Sequence, residues 1–147
     1  MSTINITDAD GGEILLIGPS QIRILEDGSR TDNRIGAVEV MVAARTPGPP
    51  QHRHQMHDET FLVTRGVVRF IVGDTIHDAH AHDYVVVPAG AWHTFTNASA
   101  ETAVFFNSFT PAYYVHYFRE LAAMDAGEGL TPDRVARLMA RYATEQC

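Results

Sequence analysis

Apolar residues recur along most of the chain in short runs with the alternation of extended structure. Runs rich in Val, Ile, Phe and Thr at 13–17, 21–25, 35–43, 59–65, 67–72, 84–87, 92–97 and 102–109 predict strands. Turn signals break the chain between them: Gly18-Pro19, Asp27-Gly28-Ser29, Pro47-Gly48-Pro49-Pro50, Gly73-Asp74, Pro88-Ala89-Gly90 and Asn97-Ala98-Ser99. Strands this short and this closely spaced imply a sandwich or a barrel. Residues 1–10 are polar and are expected to be loose.

The period changes after Phe109. Pro111 opens a stretch in which Tyr114, Phe118 and Leu121 recur at spacings of four and three, and Gly127 and Gly129 interrupt it. Thr131-Pro132-Asp133 then reads as an N-cap, a proline at the first helical position and an acidic first turn. Val135, Leu138, Met139 and Tyr142 follow on one face, and Arg134, Arg137 and Arg141 form a solvated face opposite. The expectation is a strand unit over residues 1–110, with residues 111–147 forming two helices packed on it within the same domain.

Composition narrows the chemistry. At 147 residues there is room for one domain with a real core. No apolar run reaches the length of a membrane helix, and no basic region followed by an apolar stretch marks the N-terminus, so no membrane partner and a cytoplasmic location are expected. A net charge of −7 argues against nucleic acid as a partner. All eleven basic residues are arginine, which removes mechanisms that need a lysine amine, among them phosphate-loop, Schiff-base and pyridoxal chemistry. Cys147 is the only cysteine, so neither an intrachain disulfide nor a cysteine-rich metal site is possible.

Of the eight histidines, seven lie between positions 52 and 93. His52 and His54 are two apart, so on an extended strand both imidazoles lean to one side and can reach one cation. Glu59 adds a hard carboxylate oxygen five residues on. Imidazoles with a carboxylate suit one divalent transition metal: Fe, Ni, Mn, Co, Cu or Zn. Pro88-Ala89-Gly90 forces a turn, after which His93 can supply a third imidazole from a neighbouring strand, sharing a face with Phe95 and Asn97.

These segments resemble the two signatures of the cupin superfamily. His52-x-His54, four residues, Glu59, six residues and Gly66 match the first; Pro88-x-Gly90, two residues, His93, three residues and Asn97 match the second. The resemblance implies an all-β fold, an antiparallel double-stranded β-helix of the jelly-roll type, with a metal held inside by His52, His54, Glu59 and His93. The tail is similar to that of small quercetin-dioxygenase-like cupins. Two glycine positions depart from the pattern. Gly48 has only three residues before His52, and His82 stands where the second signature usually opens with glycine, so His82 is expected to adopt a left-handed backbone.

Other residues carry plainer readings. His57 is offset by an odd number from His54 and is expected in the connection, as a loop or supporting residue. His77, His80 and His82 read as a surface turn. Asn97 should hold a strand end, and Arg53 should point outward. Phe61 and Phe95 share faces with Glu59 and His93 and are expected to line a substrate pocket without an inward basic clamp. The resemblance implies a dioxygenase acting on a flavonol-like or other phenolic aromatic substrate, with Glu59 both ligand and catalytic base. The alternatives are a non-oxidative cyclase or isomerase of a polyketide-like substrate, and a ligand-binding cupin without turnover. A homodimer paired along residues 13–25 is expected.

Overall fold

The computed structural model describes residues 2–147. Strands dominate: β1 (Glu13–Ile17), β2 (Ser20–Glu26), β3 (Gly36–Val42), β4 (Thr46–Pro47), β5 (His52–His54), β6 (Asp58–Arg65), β7 (Val68–Val72), β8 (Thr75–Ala79), β9 (Tyr84–Val87), β10 (Thr94–Asn97) and β11 (Ala103–Thr110). Helices α1 (Val115–Ala126) and α2 (Pro132–Arg141) follow, and β12 (Thr144–Gln146) closes the chain. Every pairing is antiparallel. One sheet runs β1-β2-β3-β11-β6-β9, a second β4-β10-β7-β8, and β12 pairs with β5. This is the jelly-roll barrel that the cupin resemblance implies, with the C-terminal helical part that the sequence pattern predicts.

Alternation along the central strands places the core. On β11, Ala103, Phe105, Asn107 and Phe109 are buried; on β6, Glu59, Phe61 and Val63 are. Successive side chains on a strand point to opposite faces, so the same alternation that buries Phe61 and Val63 carries Glu59 inward. Register sets Asn107 opposite Phe61 and Phe109 opposite Glu59, bringing a carboxylate and an amide into an otherwise apolar interior.

Three elements depart from the sequence reading. Residues 75–79 form a strand rather than a surface turn. β8 is an outer strand of its sheet, exposed except at Ala79, and so shows no hydrophobic period. It is held by its ladder to β7 and by the Arg69–Asp78 ion pair at 2.8 Å. The first helix begins at Val115, not at Pro111, because residues 111–114 form a turn tied to the barrel, with the Ala112 N–H donating to the Asn33 carbonyl at 3.0 Å. The tail ends in a strand, β12, which has no apolar run to announce it.

Helix α2 starts as expected. Thr131 caps it, accepting from the Arg134 N–H, with Pro132 and Asp133 in the first turn. Both helices pack inward: Val115, Tyr117, Leu138 and Met139 are buried with the barrel core. Two turn positions show why their residues matter. A Cβ on Gly48 would lie 2.0 Å from the Phe95 carbonyl oxygen, so only glycine permits that approach. His82 has φ of 76°, the left-handed conformation expected at a position where glycine is usual.

Candidate metal centre

His52, His54, Glu59 and His93 converge inside the barrel, each no more than 5% exposed. His52 and His54 leave β5 on the same side, as their spacing predicts, with ring centroids 4.7 Å apart. His93 precedes β10 and forms a bridge with His52, the two backbones exchanging N–H···O bonds of 2.9 and 3.0 Å. That bridge brings the two motifs together. The His52 and His93 rings stand 4.4 Å apart, and ligand atoms of His52, His54 and His93 all lie within 4.8 Å of one another. Glu59 Oε2 sits 3.1 Å from His54 Nε2 and 3.1 Å from His93 Nε2.

Hydrogen bonds on the outer side of each ring fix which nitrogen faces inward. His52 Nδ1–H donates to the Pro50 carbonyl at 2.8 Å, and His93 Nδ1–H to the Ala91 carbonyl at 3.0 Å. A carbonyl oxygen only accepts, so both Nδ1 atoms carry protons. His54 Nδ1 meets the Thr144 hydroxyl at 2.9 Å, and that hydroxyl donates its own proton to the Tyr142 carbonyl at 3.1 Å. The hydroxyl therefore accepts from His54, whose Nε2 is left as a lone pair. His54 Nε2 has no hydrogen-bond partner although it is buried; its approach to Glu59 lacks hydrogen-bond direction.

A buried lone pair beside a carboxylate oxygen is costly without a positive centre between them. Donor atoms about 3 Å apart match adjacent positions around an ion bonded at ~2.0–2.2 Å. The donor set, imidazole nitrogens with one carboxylate oxygen, fits a divalent first-row transition metal. Outer-side hydrogen bonds of this kind orient metal-ligating histidines generally.

The electrostatics of the cluster follow the same geometry. Burial, then the neighbouring His93 and His54, push the His52 imidazole down to about 4. Burial alone would raise the Glu59 carboxyl, but the His54 and His93 imidazoles outweigh it and hold it well below the usual carboxylate range. Burial lowers His93 too, and its bond to Glu59 more than reverses this, leaving it raised.

Several residues around the cluster were invisible or misread in the sequence. Asn107 donates Nδ2–H to Glu59 Oε1 at 3.1 Å and to the Thr60 carbonyl at 2.8 Å. It thereby pins one carboxylate oxygen and leaves Oε2 facing the imidazoles. Tyr114, read as part of a helical stripe, is instead the residue before α1. Its ring packs edge-on against His54 at 4.5 Å and parallel to Tyr117 at 4.7 Å. His57 lies in the connection between β5 and β6, as read from the sequence, but is buried there. It is 2% exposed and stacked on His54 at 4.3 Å with planes 30° apart, and neither ring nitrogen has a partner. His57 forms a second group with His54 and Glu59, whose ligand atoms also lie within 4.8 Å of one another.

The readings of Asn97 and Arg53 match the structure. Asn97 Nδ2 donates to the carbonyls of Val42, Ala43 and Glu101, closing a strand end. Arg53 points outward, over the Trp92 ring and 2.7 Å from Glu145. His77 and His80 belong to neither of the histidine groups close enough to share an ion among the described residues. Beside the metal-site residues lies a cavity of about 380 Å³ whose walls include Phe61, Phe95, Phe105, Ile22, Val40 and Val42. No arginine lines it, and its charged side chains outside the histidine cluster are Glu59 and Asp125.

Comparison with known proteins agrees with this architecture. The family profile described as Cupin domain matches residues 38–119. No curated protein sequence matches the chain. Among solved structures, KdgF from Halomonas sp. is 18% identical, covering 74% of this chain and 94% of that one, with a TM-score of 0.65. A sugar phosphate isomerase of the cupin superfamily from Silicibacter pomeroyi DSS-3 is 22% identical over 72% and 75% of the two chains, at 0.64. The polyketide cyclase RemF from Streptomyces resistomycificus is 14% identical over 81% and 96%, also at 0.64. At such identities the likeness concerns the fold. The profile spans more than half of the sequence and contains every residue of the histidine–glutamate cluster, and the chain belongs to the cupin family.

Proposed function

We propose that this chain is a metal-dependent enzyme acting on a flat phenolic or enolic aromatic substrate in the barrel lumen, as a dioxygenase of the quercetin-dioxygenase-like kind. The observation that carries this reading is the lumen itself. It is walled by Phe61, Phe95, Phe105 and aliphatic side chains, has no arginine to clamp a phosphate or carboxylate, and adjoins the histidine–glutamate cluster. A planar aromatic body fits such walls better than a sugar phosphate.

His52, His54, Glu59 and His93 would hold the metal. When bound, the metal supplies a Lewis acid and, if redox-active, a centre for oxygen chemistry. The protein does the rest. Phe61 and Phe95 flank the substrate ring, and the apolar walls limit its contact with water. Asn107 holds Glu59 Oε1, so the carboxylate presents Oε2 to the imidazoles. The Glu59 carboxylate accepts the substrate hydroxyl proton, which makes the substrate electron-rich for attack.

A second reading draws on the donor set, which suits zinc as well as redox metals. With zinc the same lumen serves a cyclase or isomerase of a polyketide-like substrate. Element analysis of protein purified without chelators, with oxygen uptake on a panel of flavonols and simpler phenols, separates the two. The dioxygenase reading expects iron, nickel, manganese, cobalt or copper and stoichiometric oxygen consumption. Zinc with ring closure and no oxygen uptake would replace it by the second reading, and tight retention of a phenol with neither reaction would make the chain a binding protein.

A further inference from the structure

We propose that Thr144, on the C-terminal strand, is a positioning residue of the metal centre, and that β12 belongs to the site rather than merely ending the chain. The inference rests on the metal-binding reading of the cluster. β12 pairs with β5 so that Thr144 lies opposite His54, Glu145 opposite Arg53 and Gln146 opposite His52. Backbone bonds clip both ends of this ladder: the Gln55 N–H donates to the Ala143 carbonyl and the Cys147 N–H to the Gln51 carbonyl, each at 2.9 Å.

The ladder fixes where the Thr144 side chain points, and the residue is 3% exposed. Its hydroxyl has one proton, and that proton goes to the Tyr142 carbonyl at 3.1 Å. The oxygen is thereby committed to accept from His54 Nδ1 at 2.9 Å. His52 and His93 are held by carbonyls on their own segments, two residues away. His54 alone is oriented from the far end of the sequence. Without that acceptor the ring is free to carry its proton on Nε2 or to rotate, and either change removes the inward lone pair.

Loss of such a partner typically lowers metal affinity about 10–100-fold. In the full-length protein, Thr144→Val keeps the shape and the strand but removes the acceptor, so Co(II) and Zn(II) affinity should fall by roughly that factor. Thr144→Ser, which keeps the hydroxyl, should bind within a few-fold of wild type. Glu145→Gln, on the outward side of the same strand, should leave affinity unchanged. Long-range 1H–15N NMR of the metal-free proteins provides a readout independent of metal. His54 should be the Nδ1–H tautomer in wild type and in Thr144→Ser, and should lose that preference in Thr144→Val. Should Thr144→Val not fold, Thr144→Ala takes its place in both measurements.

Equal affinity and an unchanged His54 tautomer in the variant without a hydroxyl would overturn the proposal. So would failure of serine to restore either property. A wild-type protein that binds neither ion would refute the metal reading, while the tautomer comparison would still decide whether Thr144 orients His54.

Discussion

A chain ending at Thr110 is expected to lose much of its stability, melting at least about 8 °C lower than the 147-residue protein or aggregating. The truncation removes Tyr114, Val115, Tyr117, Leu138 and Met139, all 3% exposed or less. At ~1.5–3 kcal/mol for each buried side chain the gross loss is on the order of 10 kcal/mol, comparable to the ~5–15 kcal/mol that stabilises a whole domain. The conformational entropy regained by omitting the segment offsets part of this. Even a net loss of ~4 kcal/mol corresponds to roughly 8–16 °C for a chain of this size. The barrel left behind would expose Phe109, which packs against Tyr114 and Phe118, and would uncover His54 and His57 where Tyr114 now lies. Calorimetry or circular dichroism of both proteins checks this. An unchanged melting temperature in a soluble truncated protein would mean the helices contribute no net packing.

Glu59→Gln should separate metal binding from chemistry. The amide keeps a coordinating oxygen and nearly the same shape, but at neutral pH it cannot take up a proton. It also cannot satisfy every neighbour. With its oxygen toward the imidazoles, its NH2 group faces Asn107 Nδ2, a donor already committed to the Thr60 carbonyl. Partial metal loss is therefore expected, and turnover has to be expressed per bound metal. On that basis activity should fall by the ~10²–10⁴-fold typical of a lost general base. Full turnover per metal would remove Glu59 from the proton transfer and leave it as a ligand only.

The convergence of His52, His54, Glu59 and His93 was legible because much of its geometry is local. Two histidines at i and i+2 must share a face of a strand, and Pro88-Ala89-Gly90 must turn the chain before His93. Alternation likewise placed Glu59 and Phe61 on one inward face. What stayed hidden depends on pairings between distant segments. Asn107 sits in a run that reads as an ordinary apolar strand, and only its register opposite Phe61 brings it to Glu59. Thr144 lies in a polar tail, and its role exists only because β12 joins β5. His57 does lie in the connection. An odd offset along an extended strand implies a ring turned away from His54, but the chain bend at residues 55–56 stacks His57 on that ring instead. Its burial comes from Tyr113, Tyr114 and Phe109 closing around it. β8 was missed for the opposite reason: an exposed outer strand needs no apolar period to form.

One divalent metal is expected among His52, His54, Glu59 and His93. Element analysis of the full-length protein, run beside the His93→Ala variant under the same purification, tests it most directly. The expected result is close to one metal per chain in wild type and a small fraction of that in His93→Ala. Equal metal content in the two proteins would contradict it, because the two histidine motifs would then not share a site.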